Sequence, residues 1–576
     1  MEVINSQRPD TISSNEDGSV CFAEDSAVAL SEVTAHGESL RSGVYVLQSN
    51  TNAPKSTHIQ VVYPELDQEQ MQQLANEHEI ILPVAPNDTE KLAYVKTNSG
   101  LLLGYLFFSL VCVTAGMWLF ALCSPYFYGF GIFNVYMMVY LTLSYYTGLS
   151  GDDYDFEYHD QLKTREIKDH PSVDIYLPTC GEPLVVLQNT YEHVKRIDWP
   201  NLRVWVLDDG AKDAVQALAS EYKFNYIRRP DRPHLKKAGN LRYAFSQTDG
   251  EYYMILDADF CPRADIIKEM MPILINDPEV AILQTPQYFR VRNDQSWVEQ
   301  GAGLIQELFY RVIETKYNRF GSSICVGTSA IYRRQALKAF GGVAEIEHSE
   351  DVHTGFNVMA DGWKVEYLPL CLSMGVCPGD LKTFFNQQYR WASGSATLVL
   401  TKRFWKSSLT ISQKLCFTCG MLYYFASAME QIIIPLPGIL LTFLLPNLVR
   451  WYNVLFAIPS LFVATLCFWA WSRHSYKIQV LKVQIVQAYA HMFAIKDSIL
   501  GTEQGWVVSG GAKVSGQTRF TQARTVCMVY VSTTLLLLFG GSVWQSFYYP
   551  FYDFIPSCLL GLLQLYLCVQ FMMNWD

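Results

Sequence analysis

The chain has 576 residues, half of them apolar and 14% aromatic, with only 17% charged, below the usual quarter. That length exceeds what a single core normally supports and implies more than one folded unit. A formal net charge of −11 without any basic block excludes nucleic acid as a partner, since such binding leans on clustered Lys and Arg.

Residues 1–98 hold fifteen acids against five bases, so −10 of the net charge lies there and says nothing about a substrate. Residues 1–57 are polar and acidic and read as a disordered tail without a cleavable signal peptide. HIQVVYPELDQEQMQQLANEHEIILPV then predicts a small β-α-β segment within 58–98. Positions 97–151 carry no formal charge and include LLLGYLFFSLVCVTAGMWLFALC. About 20 apolar residues cross a bilayer as a helix, so 99–150 predicts two spans, 101–123 and 128–148. Four more are predicted at 415–445 and 452–472 (within 414–472) and at 525–545 and 554–573 (within 525–576). Pro435 and Pro437 predict a kink in the third span.

Segment 473–524 holds Arg473, Lys477, Lys482, Lys496, Lys513, Arg519 and Arg524 against Asp497 and Glu503, whereas the short loops after spans one, three and five hold only Arg450 and Asp553. The positive-inside rule therefore places this segment, the termini and the middle region in the cytoplasm. The fourteen cysteines show no metal-ligand spacing and read as reduced, buried thiols.

The middle region, 151–413, alternates apolar runs with helical patterns. Strands are predicted at VDIYLPT (173–179), LRVWVLD (202–208), YYMILDA (252–258), VAILQTP (280–286) and WKVEYLP (363–369). Helix-compatible spacing at 184–196, 212–222, 236–246 and 263–275 gives βαβ units and a mainly parallel sheet. Ligands bind such sheets at the carboxyl ends of the strands.

The polar motifs of this sequence stand at those ends. Strand two runs into Asp208-Asp209-Gly210, and YYMIL runs into Asp257-Ala258-Asp259. In an extended segment the i and i+2 carboxylates share a side, and two hard oxygen ligands suit Mg²⁺ or Mn²⁺ bound with substrate phosphates. Lys236 and Lys237 precede a Gly at a predicted helix start, a place suited to a diphosphate. Glu350-Asp351 form an acid pair able to deprotonate an incoming hydroxyl. Gln387-Gln388-Tyr389-Arg390-Trp391 opens an amphipathic stretch before span three.

In this order and spacing the motifs resemble the processive, membrane-embedded family 2 glycosyltransferases of the cellulose synthase type, which carry an Asp pair, D-x-D, T-E-D and Q-x-x-R-W between two groups of membrane helices. The resemblance covers roughly 100–576. It implies an α/β GT-A (nucleotide-diphospho-sugar transferase) cytosolic domain at 151–380 inserted between transmembrane α-helices, interfacial helices at 381–413, and a plasma-membrane location. By the same resemblance Thr179, Glu182, Asp208 and Asp209 hold uridine. Asp257 and Asp259 hold the metal and UDP, with Lys237 near the diphosphate. Asp351 is the general base beside Glu350. Gln387 and Arg390 line the site, and Trp391 stacks under the terminal sugar.

Two departures stand out: Ser349 replaces the usual Thr, and the gating-like loop Trp506-Val507-Val508-Ser509-Gly510-Gly511-Ala512-Lys513 is two residues longer than F-x-V-T-x-K. Glu430, ionisable within a predicted span, is expected to face a translocation path. The implied activity is a UDP-forming hexosyltransferase that extends a β-glucan from UDP-glucose and exports it across the lipid bilayer. β-1,4-Cellulose is the first choice; a mixed β-1,3/1,4-glucan and a single transfer to a lipid acceptor are the alternatives. A homo-oligomer or an export partner is left open.

Overall fold

A computed structural model describes residues 82–96, 99–149, 154–167, 169–472, 478–502 and 518–574, together with four short strands between positions 13 and 62. Those strands, Ser13–Ser14, Val20–Cys21, Val46–Ser49 and Ile59–Val62, pair antiparallel. Positions 503–517, with Trp506, Ser509 and Lys513, lie outside the described residues.

Helices α1 (Gly100–Leu122) and α2 (Phe130–Leu149) fill the charge-free stretch. Among the described residues five helices are long and apolar enough to cross a membrane: α1, Ile411–Leu444, Trp451–Trp471, Arg519–Gln545 and Phe551–Met573. The sixth expected span is present as α2 but falls outside this set, because Asn134 and four tyrosines dilute its hydropathy. Its polar groups face the third span instead: Tyr136 donates to the Leu422 carbonyl, and Ser144 lies 3.4 Å from Cys419 Sγ. The kink expected from Pro435 falls at the break between Ile411–Ile433 and Leu436–Leu444.

The central α/β unit is a seven-stranded sheet. Its strands are β1 (Val173–Thr179), β2 (Leu202–Asp208), β3 (Asn225–Ile227), β4 (Tyr252–Ile255), β5 (Val280–Gln284), β6 (Ala330–Arg333) and β7 (Lys364–Tyr367), in the order β7-β5-β6-β4-β1-β2-β3. All neighbours are parallel except β6, which runs antiparallel to both β4 and β5. The sheet is mainly parallel, as expected, and is made mixed by the one reversed strand β6. Successive residues of β1 go to opposite faces: Val173, Ile175 and Leu177 pack with α3 (Leu184–Lys195), Tyr176 with α4 (Lys236–Gln247). Burial on both faces explains why these strands read as continuous apolar runs. Tyr176, Tyr253 and Tyr332 stack across β1, β4 and β6 with centroids 5.0 and 4.9 Å apart, joining the reversed strand to the parallel ones.

Beyond the sheet come α5 (Glu350–Ala360) and α6 (Leu381–Val399), followed by span α7 (Ile411–Leu444) and span α8 (Trp451–Trp471). Helix α9 (Gln479–Leu500) lies between α6 and the last spans, α10 (Arg519–Gln545) and α11 (Phe551–Met573). Phe385 of α6 meets Phe520 of α10 at 5.7 Å, and Phe520 meets Phe571 of α11 at 5.8 Å. Helix α6 is thereby packed directly onto the last two apolar helices.

Candidate active site

The carboxyl ends of β1 and β2 carry the first group. Glu182 Oε2 accepts from Thr179 Oγ1 and from the Cys180 N–H, each at 2.6 Å. Asp208 is 1% exposed. Its oxygens accept from the N–H groups of Ala211 and Lys212 at 3.0 and 2.8 Å and from Tyr226 at 2.8 Å. Asp209 forms a two-pronged pair with Arg229, both contacts 2.7 Å, and Arg229 is 0% exposed. Arg229 also donates to the carbonyls of His234 and Lys236, so Asp209, through Arg229, sets the shape of the loop that delivers Lys237. Sequence reasoning missed Arg229, because an Arg after a short strand ordinarily signals a solvated end.

The predicted strand 252–258 stops at Ile255, and Asp257-Ala258-Asp259-Phe260 is a turn closed by the Phe260 N–H on the Asp257 carbonyl at 3.0 Å. The two carboxylates therefore converge through a turn rather than through strand alternation, a correction to the i, i+2 argument. Thr328 Oγ1 accepts from the Asp257 N–H at 2.9 Å and fixes the turn. Lys237 Nζ, from the first turn of α4, reaches Asp257 Oδ1 at 2.5 Å. Burial alone would lower the Lys237 ammonium, but Asp257, Glu350 and Asp351 outweigh it and raise it. Burial, then the charges of Asp257 and Glu182, push the Asp259 carboxyl up to about 7.

This unrelieved negative charge is what a divalent cation would remove. Among the described residues no His, Cys, Asp or Glu completes a cluster of three here. Two carboxylates leaving the other positions to phosphate oxygens and water fit the way Mg²⁺ is held with nucleotides.

Ser349, in left-handed conformation (φ 54), turns the chain into α5, whose first residues are Glu350 and Asp351. Asp351 is half-buried. Burial and the neighbouring Glu350 push its carboxyl up to about 7, against the pull of the Val352 N–H and Lys237. Gly327 (φ 75) lies so close that a Cβ would stand 2.9 Å from Asp351 Oδ2. A Cβ on Gly394 of α6 would stand 2.0 Å from Ser349 Oγ. Glycine is needed at both places for close approach. Neither carries a sequence signal beyond being glycine.

Arg390 of α6 is held below its ordinary value by burial, with Glu350 and Asp257 acting the other way; the charges of both motifs reach it. Gln387 and Trp391 are half-buried and one turn apart on α6, so they share a face. Glu430 stands elsewhere, half-buried within span α7. The structure thus brings Lys237, Asp257, Asp259, Glu350, Asp351 and Arg390 into one electrostatic group from four separate segments.

The family described as Glycosyl transferase family 2 matches residues 174–341. The cellulose synthase catalytic subunit [UDP-forming] of Pseudomonas fluorescens is 33% identical over 273 residues, 46% of this chain and 36% of that protein. The cellulose synthase 1 catalytic subunit [UDP-forming] of Komagataeibacter xylinus matches at the same identity and coverage. The chain spans about a third of the length of these curated relatives. Among solved structures, a mannosyltransferase from Pyrobaculum calidifontis in complex with GDP-Man and Mn²⁺ matches 64% of this chain and 99% of its own, at 16% identity and a TM-score of 0.44. The chain thus carries a region at 174–341 that matches family 2 glycosyltransferases, is similar over part of its length to UDP-forming cellulose synthase catalytic subunits, and has, among the described residues, five helices long and apolar enough to cross a membrane.

Proposed function

We propose that this protein is a processive, inverting, UDP-forming hexosyltransferase that extends a β-glucan from UDP-glucose and passes it across the plasma membrane, with β-1,4-cellulose the first choice of product. The observation that carries the reading is the meeting of two side chains at Gly327: Lys237 Nζ donates to the Gly327 carbonyl at 3.3 Å, and the Asp351 carboxylate lies against the same glycine, while Lys237 is anchored on Asp257. A proton acceptor thus stands beside a cation suited to a departing diphosphate. Similarity to UDP-forming cellulose synthase catalytic subunits supports the donor and the product.

In this mechanism Asp351 takes the proton of the acceptor hydroxyl as that oxygen attacks the anomeric carbon. A carboxyl near neutrality is well matched to that task. Lys237 stabilises negative charge on the leaving side without having to reorganise, while Arg390 lines the site at the acceptor end. Thr179, Glu182 and the Arg229-braced Asp209 shape the nucleoside pocket, and Trp391 offers an aromatic face to the acceptor sugar. Asp257 and Asp259 would hold Mg²⁺ or Mn²⁺, which supplies further neutralisation of the diphosphate. The catalytic unit and both termini lie on the cytoplasmic side in this reading, α2 serves as a sixth span, and Glu430 faces the polymer path.

The deciding experiment supplies UDP-glucose and Mg²⁺ or Mn²⁺ to the purified chain in vesicles and digests the product with linkage-specific glucanases. An insoluble glucan cut by β-1,4-specific enzyme is expected. A lipid-soluble monoglucoside as sole product overturns the polymerase reading, and digestion only by mixed-linkage glucanase changes the product.

A further inference from the structure

Helix α6 carries Gln387, Arg390 and Trp391, and what fixes α6 lies on its other side. The Tyr389 hydroxyl donates to Asp497 Oδ2 of α9 at 2.9 Å. Asp497 is 0% exposed. The same Oδ2 receives Arg519 Nε at 2.7 Å, while Oδ1 receives Thr502 Oγ1 and Lys496 Nζ, each at 3.1 Å. Arg519, at the start of α10, also donates to the Thr502 carbonyl at 3.0 Å and to Gln522 Oε1 at 2.9 Å. This polar knot is surrounded by apolar packing of Phe385, Phe493, Ala494 and Phe520.

A carboxylate withdrawn from water is costly, and apolar side chains would join two helices at least as well. What a carboxylate with two cations and two hydroxyl donors adds is direction. Consecutive helical residues are turned by roughly 100°, so a bond that pins Tyr389 also pins the rotation and height of Arg390 beside it.

We propose that Asp497 is a positioning residue for the transfer reaction: through Tyr389 it sets the rotation and height of α6 against span α10, and so the place where Arg390 and Trp391 meet the acceptor end. This inference rests on the reading given under Proposed function.

The test uses the full chain in vesicles with Tyr389→Phe, and separately Asp497→Asn. Four quantities are read: donor KM, UDP affinity, elongation rate per folded molecule, and product length. Loss of a hydrogen bond to a charged group amounts to about tenfold. Tyr389→Phe is expected to slow elongation by about that factor and to shorten the product, with donor KM and UDP affinity within about twofold. Asp497→Asn is expected to move the same two quantities in the same direction. A purely structural role would lower the folded yield and unfolding temperature while leaving elongation per folded molecule and product length unchanged. That result, or a parallel loss of donor affinity, overturns the inference. Should Asp497→Asn not assemble, Tyr389→Phe, which removes one oxygen, decides alone. If the wild-type chain transfers single sugars to a lipid instead of building polymer, the functional reading fails separately. Tyr389→Phe must then raise the acceptor KM and leave the donor KM unchanged, or the inference fails too.

Discussion

Replacing Asp351 by Asn separates a catalytic carboxyl from a structural one, because the two roles move stability in opposite directions. In the folded protein the Asp351 carboxyl is pushed from 3.8 up to about 7 by burial and by Glu350. A carboxyl raised on folding binds its proton more tightly in the native than in the unfolded state, so stability is greatest below about pH 4. It falls as pH climbs toward 7 and is flat above. At 1.36 kcal/mol per unit the full shift corresponds to a ceiling of roughly 4 kcal/mol at pH 8. Asp351 is half-buried, and solvent screening brings the expected penalty to about 2 kcal/mol. Asparagine keeps the shape without the charge. Asp351→Asn should therefore abolish polymer synthesis, leave UDP affinity within a few-fold, and raise the unfolding temperature at pH 8 but not at pH 4.5. Tryptophan fluorescence during heating, alongside radiolabelled sugar incorporation, reads both. A variant that loses stability at pH 8, or one that still elongates, would refute the assignment of Asp351 as the base.

Other outcomes follow from the same geometry. Wild-type kcat/KM should rise with pH through about 7 as Asp351 loses its proton, and Glu350→Gln should move that limb down by about one unit, since a neighbouring like charge is removed; a pH–rate series checks this. Lys237→Met removes the cation anchored on Asp257 and should cut the transfer rate by on the order of 10² or more, measured as UDP released per minute. Gly239→Ala would place a Cβ 2.2 Å from the His234 carbonyl and 2.4 Å from Arg229 Nη1. The overpacking should cost about 1–3 kcal/mol and weaken UDP binding, whereas a neutral result in thermal unfolding and UDP titration would count against Arg229 as the brace of the Lys237 loop. Chelation of divalent ions should stop synthesis, with recovery on adding Mg²⁺ or Mn²⁺, measured by sugar incorporation.

The local elements were legible because their signals are local. VDIYLPT and LRVWVLD form strands over the residues expected, since doubly buried strands read as unbroken apolar runs. The charge-free stretch at 97–151 gave two helices because a bilayer and a long apolar run impose the same length. Motif order around those helices was enough to indicate the relatives that the chain matches in part. Less was legible where neighbours decide. Ala330–Arg333 is an ordinary short run whose reversed direction depends on stacking of Tyr332 on Tyr253 and on pairing with β5. The turn at Asp257-Asp259 follows from the Thr328 side chain, seventy-one residues away, holding the Asp257 N–H.

The sequence by itself determined which carboxylates and cations the protein owns, the strands and helices that carry them, and the charge asymmetry across its apolar runs. Tertiary structure alone decided how they are used. Asp208 and Asp209 are spent on Ala211, Lys212, Tyr226 and the buried Arg229. Asp351, Lys237 and Asp257 meet although ninety residues or more separate Asp351 from the other two. The physical reason is the range of the forces. Backbone periodicity acts over a few residues, whereas the field at a carboxylate is the sum over every charge the fold brings near it.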